Sequence, residues 1–114
     1  PAIQVDVSNA LKELLEAQGV APVEVYARAN IDRKLFSKLC TRYDYIPSKK
    51  TIIALALALE LSYDETQALL ERAGFTLSRS ILFDVIIEYF ISQGNYDIFE
   101  INSVLFAYKQ PILG

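Results

Sequence analysis

Seven of the eleven Lys and Arg residues of this 114-residue chain fall in one stretch, between residues 28 and 50. They are Arg28, Arg33, Lys34, Lys38, Arg42, Lys49 and Lys50. Two acids, Asp32 and Asp44, oppose them, so the stretch carries +5. The rest of the chain holds four bases against twelve acids, a balance of −8, and the two parts give the net −3. Cations gathered in this way do one kind of chemistry: they hold an anion. Nucleic acid and an acidic protein surface are the two partners that suit a positive face on an acidic body. A solvated face with no partner is the plain alternative.

Other chemistry is closed off by residue type. The chain has no histidine and one cysteine. Metal sites of the His or Cys type are excluded, because Cys40 alone cannot complete one. Ser-His and Cys-His nucleophile pairs are excluded for the same reason. The glycines Gly19, Gly74, Gly94 and Gly114 are isolated, so no phosphate-cradling loop forms. No carboxylate pair sits in an acid/base pattern. The expectation is a binding module without catalysis and without a cofactor. A lone cysteine forms no internal disulfide and fits a reducing, cytoplasmic setting.

Size and hydropathy set the frame. A chain of 114 residues that is 53% hydrophobic can bury one core, and disorder is not expected. The richest apolar run, residues 52–59, is far short of the ~20 residues that span a bilayer. It reads as a buried helix. No charged and then apolar leader opens the sequence, so no secretion signal is expected.

The elements that must position the basic stretch are helical throughout. Residues 10–18 carry Leu11, Leu14 and Leu15 at helical spacing, with Ser8 or Asn9 as the cap and Gly19 as the stop. Pro22 opens a second helix that runs through Ala29, and Asn30 ends it. Asp32 caps a third. There Leu35, Phe36, Leu39 and Cys40 form the buried side, while Arg33, Lys34, Ser37, Lys38 and Thr41 face outward. Residues 43–47 form a loop, and Ser48 caps a helix over 49–60 that is apolar nearly all round. Ser62 and Glu65 have capping-box spacing and open a fifth helix that ends at Gly74. Ser78 or Ser80 opens a sixth over 82–93, and Asn95 a seventh over 96–108. No alternating strand competes, so the fold class is all-α.

Two short helices around a tight turn, followed by an apolar helix, are laid out as a helix-turn-helix. Residues 11–74 resemble the lambda-repressor/Cro-like (XRE-type) helix-turn-helix domain. Val25-Tyr26-Ala27 matches its second helix and Ile31 its turn. Phe36-Ser37-Lys38-Leu39 matches its third helix and Pro47-Ser48 the start of its fourth. The run from Ala54 to Leu59 and the pair Leu69-Leu70 match its last helices. The chain departs from that family at Asn30, where many members have glycine, in its acidic balance, and in two added helices over 79–114. Over nearly its full length it is similar to a widespread bacterial helix-turn-helix-like domain of unsettled function, found alone or at protein C-termini. The resemblance implies a five-helix core plus two C-terminal helices in one domain.

It also implies a role for the basic stretch. A third helix in a major groove would point Arg33, Ser37 and Lys38 at base edges, beside Asp32. Arg28, Lys34, Arg42, Lys49 and Lys50 would meet phosphates. The expected partner is then double-stranded DNA, for a regulator that works as a homodimer. The competing expectation is a protein-interaction or accessory module whose basic patch binds an acidic protein partner or a fused domain. Tyr43 and Tyr45, beside the cations, could stack on either partner or anchor their loop. Cys40 reads as an inert core thiol. Of the C-terminal aromatics, Phe83, Tyr89, Phe90, Tyr96, Phe99, Phe106 and Tyr108, most are expected in the core, with one stripe open to a dimer or a partner. Asp84, Glu88, Asp97 and Glu100 are expected as the wet face.

Overall fold

A computed structural model describes residues 2–41 and 45–114. Among these residues the chain forms seven helices and no strand. They are α1 (Ala2–Gln18), α2 (Pro22–Arg28), α3 (Arg33–Thr41), α4 (Lys49–Ala58), α5 (Tyr63–Glu71), α6 (Leu82–Ser92) and α7 (Ile98–Ala107).

The apolar run at residues 52–58 becomes the centre. Every residue from Ile52 to Ala58 in α4 is buried. α2, α5 and α7 pack on α4, α6 packs on α5 and α7, and α1 packs on α3. Leu55 and Leu59 are buried, as a helix without a polar side requires. No helix of the described residues is long and apolar enough to cross a membrane.

The α2–turn–α3 unit forms at the expected place. Pro22 sits in the first turn of α2, where its missing N–H costs nothing. Asn30 takes φ +56, a left-handed conformation that Asn tolerates better than most residues, and the Ile31 N–H closes back on the Tyr26 carbonyl. Asp32 then caps α3: its carboxylate accepts from the Lys34 N–H at 2.7 Å. Val25, Ala29, Phe36 and Leu39 are buried, which fixes the two short helices on the core.

Helix starts are where the structure departs from the sequence reading. α1 begins at Ala2, not at residue 10. Ser8 is not a cap; it is buried inside the helix, and its hydroxyl donates to the Leu39 carbonyl of α3 at 3.2 Å. A cap contributes only ~1 kcal/mol, so burying Val7 and Ala10 against the core outweighs it. α6 starts after Ile81 with no side-chain cap, and Ser78 Oγ accepts from the Ser80 N–H instead. α7 is capped by Asp97, which accepts from the Phe99 and Glu100 N–H groups; Asn95 sits two residues earlier and accepts the Asp97 N–H. Asp97 is thus a cap and not merely part of a wet face. At α5 the Ser62–Glu65 capping box forms in both directions.

The C-terminal aromatics are mostly not core. Phe83 and Phe90 are buried and Tyr96 is half-buried, its hydroxyl donating to the Leu61 carbonyl at 3.0 Å. Tyr89, Phe99, Phe106 and Tyr108 are exposed. α7 turns Ile98, Ile101 and Leu105 inward, so Phe99 and Phe106 fall on its opposite side. The chain after α7 folds back. Leu113 is fully buried, and the Asn102 side chain holds its N–H at 2.7 Å and its carbonyl at 2.9 Å. Gly114 then lies so close to Asn30 that a Cβ there would come within 2.7 Å of the Asn30 carbonyl oxygen.

Candidate functional site

α3 carries the cations outward because its apolar residues are spaced for the other side. Phe36 and Leu39 are buried, Leu35 and Cys40 are half-buried, and Arg33, Lys34, Ser37, Lys38 and Thr41 are exposed. Arg33 with Ser37, and Lys34 with Lys38, stand four residues apart and so are neighbours on the helix surface. Among the described residues, no carboxylate forms an ion pair with Arg33, Lys34, Lys38 or Lys50. Lys38 Nζ lies 5.1 Å from the centre of the Tyr45 ring, within cation–π range, and Tyr45 itself is half-buried because it packs against the core.

Two recesses border this face. One, of about 750 Å³, runs between α1, α2 and α3; Leu15, Val23, Tyr26 and Phe36 line it, with Lys12 and Arg33 as its cations. The other lies at the α2–α3 turn, where Asp32, Leu35, Ser48 and Lys50 meet Gly114. Lys50 therefore stands beside the start of α3. The Ser48 cap of α4, accepting from the Thr51 N–H at 3.2 Å, faces the same recess.

The eight residues singled out from the sequence separate into groups. Arg33, Lys34, Ser37 and Lys38 share the outer face of α3, with Lys50 at its start. Arg28 is elsewhere: it pairs with Glu24 at 3.2 Å and lines a groove with Glu60, Asp97 and Phe99, on the side of α7. Lys49 is turned inward. Its ammonium donates to Asp84 Oδ2 at 2.7 Å, and Asp84 is only 1% exposed. Asp84 is therefore no part of a wet face; it also accepts the Ser78 N–H at 2.8 Å, while its Oδ1 has no partner. Arg42 and Tyr43 lie outside the described residues.

Two participants escaped the sequence reading. Lys12 borders the α1–α3 recess across from Arg33, and nothing in its local pattern marks it. Asp84 did carry a signal: it shares helical spacing with Ile87 and Ile91, both buried, so the apolar period itself places it inward. Burial pushes the Cys40 thiol above its ordinary value of 9.0, while nearby Lys12 pulls it the other way. No group of three His, Cys, Asp or Glu among the described residues could hold a metal ion. The described residues bring exposed cations together on the outer face of α3.

The chain matches no protein-family model, no curated protein and no solved structure.

Proposed function

We propose that this chain is a helix-turn-helix DNA-binding regulator. In this reading α1–α5 form a five-helix lambda-repressor-like core, α3 is the recognition helix, and α6 and α7 are additions to that core. The observation that carries the reading is the outer face of α3. It presents Arg33, Lys34, Ser37 and Lys38 together, with Lys50 beside its start, and none of the four cations forms an ion pair with a described carboxylate, although Asp32 lies in the recess with Lys50. Arg33 and Ser37 are the base-edge candidates, since a guanidinium can bind guanine through two parallel hydrogen bonds. Lys34, Lys38 and Lys50 are the phosphate candidates. Lys49 and Arg28 are left out of the interface, because each already faces a carboxylate.

A second reading, a non-catalytic module that binds an acidic protein, is favoured by one feature. The recess beside Arg33 has an apolar lining that includes exposed Val23, which an acidic amphipathic segment could use and a duplex has no need of. Gel-shift titration against pooled duplexes at low salt separates the two. Retarded complexes that weaken steeply as salt rises support the regulator. No complex at micromolar protein rejects it and leaves the interaction module.

A further inference from the structure

α7 ends by turning the chain back on itself. Lys109 takes φ +59, its N–H bonds the Phe106 carbonyl, and the Gln110 N–H reaches the Leu105 carbonyl at 2.8 Å. Pro111 follows and cannot resume a helix. The returning residues are fastened. Leu113 joins the core with no exposed surface. The Asn102 side chain grips its backbone twice: Oδ1 accepts the Leu113 N–H at 2.7 Å, and Nδ2 donates to the Leu113 carbonyl at 2.9 Å. Both polar groups of a buried residue outside any helix are thus satisfied from α7.

One residue further on, this segment meets the α2–α3 turn. Gly114 borders the recess that holds Asn30, Asp32 and Lys50. A Cβ on Gly114 would stand 2.6 Å from Asn30 Nδ2, 2.7 Å from the Asn30 carbonyl oxygen and 2.9 Å from the Asn30 Cβ. The last two atoms move only with the backbone of Asn30. That backbone makes the turn, through a left-handed conformation that costs a non-glycine residue energy and persists where its surroundings hold it.

We infer that residues 111–114 are a strap by which α7 holds the α2–α3 turn in shape and so positions the outer face of α3. α7 itself packs on α4 and α6; the strap carries its influence to the turn. It acts as a strap and not as a plug. Gly114 brings no side chain into the recess, and Arg33, Lys34 and Lys50 stay exposed beside it. The C-terminal helices are then a working part of the basic face, whether that face meets DNA or an acidic protein. The end of α4 supplies an internal comparison. Glu60 takes φ +53 there, and the Leu61 N–H closes on the Ala56 carbonyl as the Ile31 N–H closes on Tyr26, away from the recess that Gly114 borders.

Amide hydrogen exchange of the full chain, followed by NMR without any partner, tests it. Two variants release the strap in different ways. Asn102→Ala removes the grip on Leu113, and Gly114→Ala forces the segment away from Asn30 while leaving that grip in place. Each should speed exchange at Asn30 and Ile31 about tenfold or more, the scale of the strain at a left-handed non-glycine residue. Exchange at Glu60 and Leu61 should stay as it was. Should Asn102→Ala not fold, Leu113→Val, which keeps most of the buried apolar surface, takes its place. Unchanged exchange at the turn in both variants overturns the inference. So does a rise in only one of them, which would assign the effect to the new methyl or to α7 without the strap. So does an equal rise at Glu60 and Leu61, which marks a general loss of stability. Because no duplex is present, a failed result here removes this inference alone, and a failed gel shift removes only the DNA-binding reading.

Discussion

Lys49 and Asp84, separated by 35 positions in the sequence, meet at 2.7 Å and join the start of α4 to the start of α6. The pair is asymmetric. The carboxylate is buried, while a quarter of the lysine side chain is exposed. Asp84 also fastens the loop before α6 through the Ser78 N–H. One cation of the basic stretch thus holds the C-terminal helices to the rest of the fold and is spoken for before any partner arrives.

Removing Lys49 should therefore cost stability and leave anion binding largely untouched. Lys49→Ala leaves the Asp84 carboxylate buried and unpaired, a loss of roughly 3–5 kcal/mol for buried pairs, and nearer the lower figure here because Lys49 is partly wet. The double variant Lys49→Met/Asp84→Leu removes both charges and should recover most of that loss. Urea denaturation of the three proteins checks this. A Lys49→Ala protein as stable as the original would show that the pair contributes nothing.

Thr66 offers a substitution in the stabilising direction. It is fully buried in α5, and its hydroxyl has no hydrogen-bond partner. A buried unsatisfied polar group costs about 1–3 kcal/mol. Thr66→Val keeps the shape and deletes the hydroxyl, so the thermal midpoint should rise. A fall of more than a degree or two would mean that the hydroxyl is satisfied in solution, by water.

The helices and the outward cations of α3 were legible because both follow from the period of the apolar residues. Phe36 and Leu39 face inward, and Arg33, Lys34, Ser37 and Lys38 then have nowhere to go but out. Start positions were less legible. A serine such as Ser8 that could cap a helix can equally serve inside one, where it finds the Leu39 carbonyl, and only tertiary packing decides. The destination of Lys49 was hidden for a related reason. Its neighbour Lys50 has the same charge and the same local setting, but one helical step of about 100° separates a lysine facing Asp84 from one beside the α2–α3 turn. The exposed aromatics of α7 show the converse limit: apolar composition argues for burial, and it does not say whether the burying surface belongs to the same chain.

Cys40 should be a slow thiol with a defined pH response. The thiolate is the reactive form. Burial holds its pKa above the ordinary 9.0, so at pH 8 the folded protein has less thiolate than an unfolded chain. Alkylation by iodoacetamide should be slower in the native protein than in urea, and its rate should still be climbing where a free thiol has levelled off. Lys12 lowers the pKa, so Lys12→Ala should slow alkylation further. Faster alkylation in that variant would show instead that Lys12 shields the sulfur.

The cations of α3 and α4 should separate by role when binding to duplex is followed against salt. Each phosphate neutralised contributes a log–log slope of about −0.9, through release of counterions. Lys34, Lys38 and Lys50 are exposed and unpaired with any described carboxylate, so replacing each by Ala should flatten the slope by about one and weaken binding to every sequence alike. Lys38 should show less than the other two, since its ammonium is already held over the Tyr45 ring. Replacing Arg33 should act differently: a guanidinium bound to one guanine carries about 1–3 kcal/mol of discrimination, so the preference among sequences should relax. Arg28→Ala and the Lys49→Met/Asp84→Leu pair should leave the slope unchanged, because both cations already face carboxylates. Equal slopes for all these variants would show that the α3 face meets no phosphate.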